Sequence, residues 1–171
     1  MANNYKLQIP VYTYEFMPVE KPLNTLFEKK EDIEKRIAEL KQHKQDIMQK
    51  YIDQIANGEL VPRMGKKQYR CKTLYNCGGV TIFKIENIKD EAYDWNFGVE
   101  SHKIGPNCHV IIDNRKDMQH IAIERKPKAF SSPNIVKNIL CETLRPLLRQ
   151  EGLLIDINPQ FYPKDFWDFI D

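Results

Sequence analysis

Four groups of residues in this chain could do chemistry. The first is Cys71, Cys77, Cys108 and His109. Thiolates and imidazoles are zinc ligands, so these four could form a structural zinc site, although no close Cys-x2-4-Cys pair is present. The other reading is buried free thiols, since a chain this long needs no staples to fold. The second group is Arg63, Lys66, Lys67, Arg70 and Lys72, five cations with no acid between them and Tyr69 interleaved. Such a loop could hold phosphates, with Tyr69 stacking on a base and Arg125 and Lys126 (with Lys128) extending the patch. The third is Phe161, Tyr162, Phe166, Trp167 and Phe169, either a core contribution or a docking surface. The fourth is Asp113 with Glu124 and Lys126. Nucleophile-elbow, phosphate-loop, zinc-protease and dinucleotide motifs are absent.

Asp113 followed by Glu124-Arg125-Lys126 resembles the acidic-residue, Glu-x-Lys pattern of the restriction-endonuclease-like nucleases. The expected order of elements is similar to theirs too. The resemblance implies Asp113 and Glu124 as ligands of Mg²⁺ or Mn²⁺, Lys126 as the catalytic cation and Glu31 or Glu34 as an upstream acid. Hairpin geometry argues the other way. A turn centred near Lys116 and Asp117 pairs Asp113 with about His120 and sets Glu124 opposite about His109. The two carboxylates then stand about 13 Å apart along the strands. Two ligands of one Mg²⁺ must lie within about 4–5 Å of each other. His109 and Glu124 are then a cross-strand polar pair. The run Gln119–Glu124, with the later Phe166-Trp167, is similar to uncharacterised bacterial proteins encoded near phage-defence genes, which implies a bacterial cytoplasmic origin.

The elements that must carry these residues follow from periodicity. Tyr5, Leu7, Ile9 and Val11 alternate with polar neighbours, predicting a first strand. Pro10 donates no hydrogen bond, so that strand should be an edge or carry a bulge. Thr25 and Glu28 form a capping box and Asn57-Gly58 a stop, so residues 26–56 should form one helix of about 46 Å. A domain of this size is only about 40 Å across, so the helix spans it or projects from it. Its apolar stripe, Ile33, Ile37, Leu40, Ile47 and Tyr51, then Ile55, is narrow, with Lys44 in one slot. The stripe could lie on the chain's own sheet, or dock a protein partner or a second copy. Strands are expected at 73–75 and 80–85 around Gly78-Gly79, at 95–99, at 108–113 and 120–126, and at 153–157. Ser132-Pro133 opens a helix to about 151, with a kink or break at Pro146. Pro163 opens a short last helix.

The expected fold is α+β: a mostly antiparallel sheet, a long N-terminal helix, a second helix and a short C-terminal one. The chain reads as a single domain over 1–171 with 24–58 as a helical arm. The pattern stops mid-helix at Asp171, which raises the expectation of an N-terminal domain of a longer protein. The 171 residues are 42 % apolar, enough for a core, and the net charge of +2 excludes a uniformly basic nucleic-acid binder. No signal peptide or membrane span is read, and no cofactor is called for outside the nuclease alternative. The expected function is a non-enzymatic, cytoplasmic interaction module. It would work through the long helix, with DNA or RNA contact by the basic loop.

Overall fold

The computed structural model describes residues 8–19, 30–88 and 105–160. In chain order the elements are β1 (Val11–Pro18), α1 (Lys30–Ala56), β2 (Arg63–Met64), β3 (Lys67–Gln68), β4 (Cys71–Cys77), β5 (Val80–Glu86), β6 (Asn107–Asp113), β7 (His120–Ile123), α2 (Pro133–Gln150) and β8 (Leu153–Pro159). Six strands form one sheet in the order β4-β5-β6-β7-β1-β8. Every neighbouring pair is antiparallel. β2 and β3 form a separate hairpin.

Period-two patterning sorts the strand residues onto two faces. Phe83, Ile85, Val110, Ile112, Ile121 and Ile123 are fully buried on the inner face. Ile82, Lys84, His109 and Ile111 alternate with them on the outer face and are half-buried. Both helices lie on the inner face. Tyr12, an inward residue of β1, donates its hydroxyl to Asn134 of α2, and Thr73 of β4 donates to the Ala56 carbonyl of α1. Burying side chains of this size stabilises by about 1.5–3 kcal/mol each, so the inner face is where the fold is held.

α1 uses its stripe unevenly. Met48, Tyr51, Ile52 and Ile55 are buried in the core, Leu40 and Ile47 pack at its margin, and Ile33 and Ile37 lie outside it. Tyr51, expected on a partner-docking stripe, is 6 % exposed and donates its hydroxyl to Glu151. It belongs to the chain's own packing. In α2, Ser132 caps the N-terminus by accepting the Asn134 N–H. Of the kink or break expected at Pro146, the break is absent: α2 runs through Pro146 from Pro133 to Gln150, with Ile139, Leu140 and Leu144 buried before it and Leu148 after it.

β1 also departs from expectation. The strand begins after Pro10 and lies inside the sheet, between β7 and β8. An interior strand needs its N–H groups on both sides, so it starts where proline ends. Among the described residues before that point, carbonyls make the backbone contacts: Pro10 accepts from Ile123 and Gln8 from Arg125. The expected strand at 95–99, the first turn of the long helix and the short last helix lie outside the described residues. No helix among the described residues is long and apolar enough to cross a membrane.

Candidate nucleic-acid interface

The basic loop is a hairpin. β2 and β3 pair Arg63 with Gln68 and Met64 with Lys67, leaving Gly65 and Lys66 at the turn. Gly65 has φ +58°, a conformation a side chain would strain. Two hydrogen bonds fix the hairpin to α2: Arg63 N–H to Thr143 Oγ1 at 2.9 Å and Gly65 N–H to Glu142 Oε2 at 2.9 Å. Tyr69 follows, 4 % exposed, with its ring 5.9 Å from that of Phe130. It cannot stack on a base as expected. Its apolar ring is the wedge that seats the hairpin on the domain.

The two basic stretches meet through one residue. Lys67 Nζ donates to Asn87 Oδ1 at 2.7 Å, and Asn87 Nδ2 donates to the Ala129 carbonyl at 2.7 Å. Asn87 also donates its N–H to the Pro106 carbonyl at 2.9 Å. Ala129 in turn donates its N–H to the Lys126 carbonyl. The ends of β5 and β7 and the start of β6 therefore gather here, with Lys67 on one side and residues 125–128 on the other. Arg63, Lys66, Lys67, Arg70, Lys72, Arg125 and Lys128 are exposed and Lys126 is half-buried. Three acids close by are each engaged: Glu142 by Gly65, Glu86 by the Gly105 N–H and Glu124 by His109. Lys72 and Lys84 stand directly opposite one another on β4 and β5, a like-charge pairing that weakens a sheet and strengthens the positive field above it.

On β6 and β7 the register is that of the simple hairpin. Asp113 pairs with His120, and Glu124 donates its N–H to the His109 carbonyl at 2.9 Å. Asp113 and Glu124 are thus separated by four strand positions, about 13 Å. Asp113 is held by Arg115, through Nε at 2.9 Å and Nη2 at 2.6 Å. Those hydrogen bonds hold its carboxyl below the ordinary value. Glu31 and Glu34 belong to α1, in the helical layer on the far side of the sheet from Glu124. Asp113, Glu124 and Lys126 are therefore not gathered as the nuclease resemblance implies. Among the described residues no three His, Cys, Asp or Glu side chains are grouped to hold a metal. The zinc candidates are also dispersed. Cys71 and Cys108 face inward, where burial first, then neighbouring charge, pushes both thiols up to about 12. His109 faces outward and Cys77 is exposed at the other end of β4. All four cysteines are free thiols.

Glu124 Oε2 accepts from His109 twice, from ring Nδ1 at 2.6 Å and from the backbone N–H at 3.0 Å. Burial would raise the Glu124 carboxyl, but these bonds and the Lys126 charge outweigh it and hold it below its ordinary value of 4.5. A carboxyl that binds its proton less readily folded than unfolded stabilises the fold above that ordinary value. The contribution is lost as pH falls through the folded value. The urea midpoint is therefore expected to drop below pH 4.5, with a shallower drop in Glu124→Gln. An identical pH slope in the variant would show that the His109 contact adds nothing to stability.

Sequence reasoning located the basic stretches and the His109–Glu124 pairing. It missed Asn87, which no local signal marks, and Lys84, which strand alternation alone could have placed on the outer face. No protein-family model, curated protein or solved structure matches the chain.

Proposed function

We propose that this chain is a nucleic-acid-binding module that holds the phosphate backbone on the surface formed by the β2–β3 hairpin, the start of β4 and residues 125–128. The observation that carries this reading is the Lys67–Asn87–Ala129 chain of hydrogen bonds, which makes one surface of two distant basic stretches. The cations of that surface are exposed or half-buried and gathered in one place, so its field is more positive than the net charge of +2 suggests. Self-association through Ile33, Ile37, Leu40 and Ile47 draws less support, because the C-terminal half of that stripe is used inside the fold.

Phosphate contacts release counterions, so affinity should fall linearly on a log–log plot against salt. With about six phosphates neutralised, binding of a fluorescent 30-mer should weaken by about 10³-fold between 50 and 200 mM salt. Lys67→Glu with Lys126→Glu should weaken binding to every sequence alike and flatten the slope. Absence of binding at 50 mM, or indifference to salt, would overturn the reading.

A further inference from the structure

The outer face of the sheet carries a row that runs from Lys72 of the phosphate-binding surface to a pair, His109 and Glu124, that phosphate binding alone does not use. Lys72, Lys84 and His109 are in register on β4, β5 and β6, and Glu124 stands opposite His109. A carboxylate only accepts, so its 2.6 Å contact puts the ring proton on His109 Nδ1 and leaves Nε2 as the basic nitrogen. Among the described residues Nε2 has no hydrogen-bond partner. The His109 side chain is 41 % exposed while that of Glu124 is 14 % exposed, so the acid is sheltered and the base is reachable. The second bond, from the His109 backbone N–H to the same oxygen, fixes the carboxylate against the ring. This is an oriented base beside lysines that attract phosphates.

We propose that His109, oriented by Glu124, cleaves RNA without a metal ion. The inference rests on the phosphate-binding reading and names its substrate class. The attacking group comes with the substrate: a ribose 2′-hydroxyl lies next to the phosphate it attacks, and His109 Nε2 is an oriented base for its proton. His109 Nε2 takes the 2′-hydroxyl proton as the 2′-oxygen bonds to phosphorus. The bond from phosphorus to the 5′-oxygen breaks, and that oxygen takes a proton from water. His109 then returns its proton to solvent. The products are a 2′,3′-cyclic phosphate and a free 5′-hydroxyl. Lys84 and Lys72 stand where negative charge builds on the phosphate oxygens. His109 is the catalytic residue and Glu124 a positioning residue.

The test incubates the whole chain with end-labelled RNA in excess EDTA. Binding is measured in parallel with 2′-O-methyl RNA of the same sequence, which cannot react. The expected result is cleavage to cyclic-phosphate ends, with DNA of that sequence left intact. His109→Ala should slow cleavage at least about 100-fold with binding unchanged, and added imidazole should restore part of the rate. His109→Gln, purified identically, guards against a folding defect and a contaminating nuclease. Glu124→Gln should lower turnover but not binding, and adding it to His109→Ala should slow cleavage no further. RNA bound but intact in EDTA overturns this inference alone, as does cleavage that survives His109→Ala and His109→Gln. Failure to bind 2′-O-methyl RNA overturns the phosphate-binding reading and this one with it.

Discussion

Ile52→Ala is expected to destabilise the fold by about 3 kcal/mol and to lower the melting midpoint by about 9 °C. Ile52 is fully buried where α1 meets the sheet, with Met48 and Ile55 on either side of it in the helix. Removing its outer methylenes loses their transfer energy and leaves a void that close-packed neighbours fill only in part. Ile33→Ala, near the start of the same helix and outside the core, should change stability by less than about 1 kcal/mol. Urea titrations of the two variants measure how far along α1 the domain's grip extends. Equal effects would mean that the helix is anchored along its whole length.

Asn114→Ala is expected to remove about 3 kcal/mol through lost hydrogen bonds. Asn114 is 4 % exposed in the β6–β7 connection. Its Oδ1 accepts the Tyr14 hydroxyl at 2.8 Å, and its Nδ2 donates to the Gln45 carbonyl at 2.8 Å and to Gln49 Oε1 at 3.1 Å. The chain continues from Gln49 to Asp53, which also accepts from Asn76, and Asn76 accepts from Thr81. One amide thus ties β1, α1 and the β4–β5 hairpin together. Burial first, then the Asp113 charge, pushes the Tyr14 hydroxyl well above its ordinary range, so it stays a donor. Removing the amide leaves the Tyr14 hydroxyl with a 3.4 Å contact to the Asp113 carbonyl and takes the Asn114 donor from Gln49 Oε1, so a buried network is left partly satisfied, which costs more than the bonds themselves contribute. Tyr14→Phe should be milder, about 1–2 kcal/mol. A double-mutant cycle should show coupling of at least about 0.5 kcal/mol, and additive effects would remove the network from the account.

Local features were legible in the sequence where the physics is local. Gly78 and Gly79, with φ of +60° and +78°, make the turn their pairing suggested. The short β6–β7 connection set the register that parts Asp113 from Glu124 and joins His109 to it. Ser132-Pro133 and Asn57-Gly58 marked helix ends within a residue or so. The misreadings all depend on partners distant in sequence. Pro10 shows that a backbone donor is missing, but not that strands will flank β1 on both sides. Tyr69 sits among cations, which suggested exposure; Phe130 and the hairpin's seat on α2 decide its burial. The α1 stripe has one period throughout, and only the extent of the sheet beneath it separates the half that is buried from the half that is not. The candidate site was half legible for the same reason. Its cations could be read directly, but Asn87, which joins them, could not.

The position of β1 sets the order in which this protein can be completed on a ribosome. Strands β4 to β7 follow one another as a meander and can pair as they emerge. β1, made before them, has to wait: Tyr14 meets Gln119 across 105 positions and pairs with Ile157 farther on still. Until β8 is made, β7 keeps an open edge or holds β1 with an open edge of its own. Closing such long loops is slow, so the last step should be the insertion of the earliest strand into its slot. Nascent chains that stop short of β8 should therefore be the species that stick to one another.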